Sequence, residues 1–92
     1  MYAEALIGLA QAHRAAGQSA LAINFFLRAL NQTPDREDLH RSVMELYADN
    51  GATDKALMQY NFLIQQLKQA WGVTPSPVTR ALYERITGRV HA

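Results

Sequence analysis

Leu6, Leu9, Ala10, His13 and Ala16 recur at helical spacing and stop at Gly17, a residue that ends helices readily. The pattern resumes after Ser19, placed to cap a second helix, with Ala22, Phe25, Phe26, Ala29 and Leu30, and it runs out before Pro34. Leu39, Val43, Met44, Leu46 and Tyr47 mark a third helix. Asp35, Glu37 and Asp38 open it where the helix dipole favours carboxylates, and Asn50-Gly51 closes it. Thr53 holds the capping place of a fourth, in which Ala56, Leu57, Tyr60, Leu63, Ile64 and Leu67 lead to Trp71 and Gly72. After a rigid loop, Ser76 as cap and Pro77 at the first helical position predict a fifth helix carrying Leu82, Tyr83 and Ile86, with residues 88–92 frayed.

The first pair of helices half-repeats in the second. Gly17 returns as Gly51, Ser19 as Thr53, Ala22 as Ala56, Phe26 as Tyr60, Leu30 as Ile64, Leu9 as Val43 and His13 as Tyr47. The shift of 34 residues is the length of one tetratricopeptide unit, two antiparallel helices that bury their apolar faces only by stacking on a neighbour. The expected fold is therefore all-α: stacked tetratricopeptide-like hairpins in a right-handed superhelix of about five helices. One domain is expected over residues 1–92, with units at about 3–34 and 37–70 and a loop and closing helix at 71–88. The repeat predicts a core of Leu9, Ala22, Phe26, Tyr47, Ala56 and Tyr60, with Trp71 anchoring the last loop against the fourth and fifth helices. Lys68 stands where the first unit has Pro34, so the fourth helix should run about one turn longer. Met44 and Leu63 replace small residues and His40 a large apolar one, which makes the second unit looser.

Composition narrows the function. A chain of 92 residues buries a thin core. Nine basic and eight acidic residues are interleaved along the helices, with no basic stripe to meet a phosphate backbone, so direct nucleic-acid binding is not expected. Cysteine is absent, which removes disulfides, thiolate catalysis and cysteine-rich zinc sites. No apolar run reaches the roughly 20 residues of a membrane span, and a cytoplasmic protein is expected.

Candidate chemistry is sparse. His13 and His40 fall at core positions of the repeat with no carboxylate at a ligand spacing, and a structural role outweighs a metal site. Glu45 and Asp49 lie one turn apart, as carboxylates on solvated helix faces often do, and nothing supplies a nucleophile with its base. No catalytic, cofactor or metal site is expected. Phe25 and Phe26 point about 100° apart, so one ring can enter the core while the other faces a neighbouring unit or partner. In a tetratricopeptide stack the inward face would carry Glu4, Ile7, Gln11, Arg14, Asp38, Arg41 and Glu45. The places at which carboxylate-binding members carry Lys, Arg and Asn hold Ile7, Gln11, Arg41 and Glu45, so a chaperone-tail adaptor is disfavoured.

Three segments carry a resemblance to a known family: Arg36-Glu37-Asp38-Leu39-His40-Arg41, Lys55-Ala56-Leu57-Met58-Gln59-Tyr60, and Trp71-Gly72-Val73-Thr74-Pro75-Ser76-Pro77 followed by Arg80-Ala81-Leu82-Tyr83-Glu84-Arg85-Ile86. In these the chain resembles the bacterial transcriptional activator domain, the tetratricopeptide-like module of Streptomyces antibiotic regulatory protein type activators. The resemblance implies a protein–protein interaction and oligomerisation module of a transcription regulator, expected here as a C-terminal fragment whose DNA-binding domain lies outside the chain. Its partners would be that domain, a second copy or the transcription machinery. A free-standing peptide-binding scaffold is the alternative. Ile7, Leu21 and Phe25 are expected to lie uncovered and to form a self-association face, giving a homodimer unless Met1 and Tyr2 fold back over it.

Overall fold

The computed structural model describes the backbone of residues 2–91 and the side chains of residues 2–88. It holds five α-helices among the described residues: α1 Tyr2–Ala15, α2 Ser19–Gln32, α3 Glu37–Asp49, α4 Thr53–Trp71 and α5 Pro77–His91. No strand occurs among them.

The two hairpin turns show the repeat at atomic detail. The Gln18 N–H donates to the His13 carbonyl at 2.8 Å and the Gly17 N–H to the Arg14 carbonyl at 3.1 Å. Ala52 and Gly51 make the same bonds to Tyr47 and Ala48, at 2.8 and 3.1 Å. This is the Schellman closure, which needs a left-handed residue; Gly17 and Gly51 supply it at φ of 77° and 78°. The turn is so tight that the residue after each glycine is already the cap of the next helix. Ser19 and Thr53, expected as caps, are instead first helical residues, and the cap positions Gln18 and Ala52 make no side-chain cap bond.

Helix α2 ends at Gln32, ahead of Pro34, whose ring disfavours helical backbone in the residue before it. Without a proline at that place, α4 reaches 19 residues against the 14 of α2 and closes at Gly72 with φ 66°. Residues 88–91, expected to fray, remain in α5; one glycine costs only about 1 kcal/mol there. Ala92 lies outside the described residues, as does Met1, on which the expected fold-back over the self-association face would partly rest.

Alanines set the close approaches: Ala10, Ala22, Ala29 and Ala56 are fully buried, as are Phe26 and Val43. Met44 and Leu63 fill the second unit without leaving exposed surface. Leu6, Ile7, Phe26, Leu39 and Val43 belong to one cluster, Met44, Tyr60, Leu82 and Ile86 to another, and half-buried Tyr47 packs against both. Helix α5 lies on α3 and α4, where a third unit's first helix would stack, and Tyr83 stacks on Tyr60 at 4.2 Å. Its outward Arg80, Glu84 and Arg85 give this end a charged finish, which suits the end of a stack.

Three expected positions differ. Leu9 is 46% exposed. The buried stripe of α1 is Ala3, Leu6, Ile7 and Ala10, and Leu9 sits about 100° off Ala10. Its repeat equivalent Val43 is buried because the first unit covers it, whereas no described element covers that flank of α1. Ile7, expected to be uncovered, is part of that stripe and only 7% exposed. Trp71 is 68% exposed and does not anchor the last loop. It ends the extra turn of α4, and its indole N–H donates to the Asp35 carboxylate at 2.6 Å.

Candidate functional site

Helices α1 and α3 carry the residues expected on the inward face, and the charged ones among them are engaged within the chain. Arg14 reaches Glu45 at 3.4 Å. Arg36, which the sequence reading assigned to no face, holds Asp38 through two nitrogens at 3.1 and 2.6 Å and Glu4 at 3.0 Å. The hydrogen bond to Asp38 raises the Arg36 pKa, and Arg36 in turn holds the Asp38 carboxyl below its ordinary value. Ile7 is buried beneath this face and Gln11 is exposed on α1. The arginines that could bind a peptide carboxylate are thus already paired within the chain.

Arg41 serves a different purpose. It donates to the Thr79 hydroxyl at 2.9 Å and lies 3.9 Å from Glu37. Glu37 also accepts the Thr79 hydroxyl at 2.7 Å, and the Ser76 backbone N–H at 3.0 Å and hydroxyl at 2.9 Å. Burial pushes the Glu37 carboxyl up, but the bonds from Thr79 and Ser76 outweigh it and leave its pKa lowered. This cluster latches α5 to α3. Its only sequence signal was the Ser76-Pro77 helix start, which calls for an acceptor without saying which.

His40 and His13 both have partners within the chain. His40 is fully buried, with Nε2 2.8 Å from the Pro34 carbonyl and Nδ1 2.8 Å from the Gln59 amide nitrogen. Nε2 therefore carries the proton and Nδ1 accepts. Burial lowers its pKa despite the Pro34 bond and the nearby carboxylates. His13 bonds to Gln18 and stacks on Phe25 at 5.3 Å. Among the described residues no three metal-ligating side chains gather.

The expected self-association residues separate. Phe26 takes the core, and half-buried Phe25 lies between the His13 ring and the Arg28 guanidinium, 5.5 Å from its centroid. Leu21 and Phe25 line a trough of about 680 Å³ between α2 and α4, with Phe62 opposite. It continues past Met58 and Lys55 to Tyr47. Phe62 and Met58 are 45% and 68% exposed. Sequence reasoning missed both, although they stand one turn apart on α4 and off its buried stripe, which is a readable signal.

A stack of helical hairpins with charges paired across α1 and α3 and apolar side chains on its outer helices is a tetratricopeptide-like module. The chain matches the family model described as bacterial transcriptional activator domain over residues 2–87, and it belongs to that family. It is similar to the transcriptional regulatory protein MoaR1 of Mycobacterium bovis (strain BCG / Pasteur 1173P2), 33% identical over 94% of this chain and 30% of the relative. The chain thus spans about a third of that relative's length. No solved structure matches it. No described helix is long and apolar enough to cross a membrane.

Proposed function

We propose that this domain of a bacterial transcription regulator is a protein–protein interaction and oligomerisation module, supporting activation beside a DNA-binding domain located outside these residues. The observation that carries the reading is the exposed apolar surface, Leu9 on one flank and Leu21, Met58 and Phe62 on the outer helices, in a fold whose polar groups largely satisfy each other. The reading carries with it a cytoplasmic location and no chemistry of the chain's own. A free-standing scaffold working through the α1/α3 face is the weaker reading, because Arg14 and Arg36 there are held by Glu45, Glu4 and Asp38.

Self-association belongs to the proposal, with its face moved. Ile7 is buried, so the uncovered flank of α1 is that of Leu9, the repeat equivalent of Val43, which is buried between the units. A second copy across this flank would form a symmetric dimer if about 1,200 Å² or more is buried. Sedimentation equilibrium tests it: the mass should rise above 10.3 kDa with concentration and return to that value in Leu9→Glu with helicity unchanged. A mass fixed at 10.3 kDa throughout counts against oligomerisation.

A further inference from the structure

The trough between α2 and α4 lies outside the helix pairs that pack on each other, though its floor reaches the core at Leu30 and Phe62 rests on the buried His40 ring at 5.8 Å. The two helices do not pack on each other, and Leu21, Leu27, Phe25 and Phe62 line the gap with Asn24 and Gln59 as polar contacts. The helices run parallel, since the start of α2 faces the start of α4 near Ala52 and Lys55 while its end faces Phe62. From Ser19 to Asn31 the trough offers about 18 Å, the length of a helix of about 12 residues.

Charge identifies what fits it. On the α1/α3 face Arg14, Arg36 and Arg41 are matched by Glu45, Glu4 with Asp38, and Glu37. The other side is unmatched. Helix α2 has no carboxylate, and its one charge, Arg28, donates to the Tyr2 hydroxyl at 3.2 Å rather than to a carboxylate. Lys55 makes no ion pair among the described residues, and Asp54 is the lone carboxylate lining the trough among them. The starts of α2 and α4 open beside Lys55 without side-chain cap bonds, adding partial positive charge at that end.

We propose that this trough docks an amphipathic helix of a partner protein, with apolar side chains seated between α2 and α4 and carboxylates along its edges meeting Arg28 and Lys55. The inference rests on the interaction-module reading and adds to it the chemistry of one partner. It is the helix-in-groove mode, with three- and four-residue spacing supplying the apolar contacts. The surface is separate from the flank of Leu9, so both can be occupied together.

The test uses a fluorescein-labelled synthetic helix of about 14 residues with leucines at three- and four-residue spacing and glutamates beside them, and a twin with lysines instead. Fluorescence anisotropy with the 92-residue chain should show the glutamate helix binding about ten-fold tighter than its twin, an advantage lost in about 0.5 M salt. Phe62→Glu should weaken it about ten-fold, and Arg28→Glu with Lys55→Glu should reverse the order of the two helices. Equal affinity for both helices, or binding untouched by Phe62→Glu, overturns the proposal. So does self-association that Phe62→Glu abolishes, which would give the trough to a second copy. If the helix fails to bind while self-association sensitive to Leu9→Glu persists, the trough proposal is wrong and the module reading stands.

Discussion

The carboxylate of Glu37, the first residue of α3, stands at the start of α5 and accepts both the backbone N–H and the hydroxyl of Ser76, at 3.0 and 2.9 Å. The orphan donor of one helix is thus satisfied by the opening residue of another, 39 positions earlier. Replacing Glu37 by Ala removes the acceptor of Ser76 and Thr79 and the ion-pair partner of Arg41, and should cost about 1 to 3 kcal/mol in urea unfolding. Glu37→Gln should lose less, because its amide oxygen still accepts.

Two phenylalanines on neighbouring layers should respond very differently. Phe26 is 1% exposed, and Phe26→Ala should cost about 3 to 5 kcal/mol, enough to threaten a domain of this size. Phe62 is 45% exposed, and Phe62→Ala should cost under about 1 kcal/mol. Thermal melts of the two variants check the assignment of core against trough.

Acid should destabilise the domain in two stages. His40, Glu37 and Asp38 all have pKa values lowered by folding, so the unfolded chain takes up protons more readily than the native one and stability falls as pH falls. The His40 contribution is intact above its unfolded value of 6.5 and is lost below it, through the folded pKa. Glu37 and Asp38 follow below 4.5 and 3.8. Urea midpoints between about pH 7.5 and 3 should show both stages, and His40→Leu, less stable overall, should flatten the first.

Nucleic acid should not be a direct partner of these residues. The cations of α1 and α3 are paired with carboxylates, and Arg28, Lys55, Lys68 and the outward Arg80 and Arg85, which flank Glu84 on α5, are scattered over separate faces and are too few to release many counterions. A gel-shift titration with duplex DNA at about 0.15 M salt should give a dissociation constant no tighter than about 10 μM.

The helices and turns were legible because their causes are local. Glycines at left-handed turns, Pro34, and apolar spacing all act within a few residues, and the shift of 34 residues carried the first unit's reading onto the second. Leu9 and Trp71 were misread because burial depends on what lies across from a helix, which the repeat does not encode at its first helix or along an extra turn. Ile7 went the other way: the observed stripe keeps Leu6 and Ala10 of the expected one and takes in Ile7 where Leu9 was expected. The Arg36–Glu4 pair, the Glu37 latch and the trough of Phe62 arise where segments 30 to 40 positions apart meet outside the repeat's equivalences.

The most direct test of the central claim, that this domain supports transcription through protein contacts, is to fuse it to an unrelated bacterial DNA-binding domain and measure transcript from a promoter bearing that domain's site. The account predicts more transcript than from the DNA-binding domain alone at equal promoter occupancy, with the gain lost in the unfolding variant Phe26→Ala. A folded fusion that occupies the promoter and leaves transcript unchanged would contradict it.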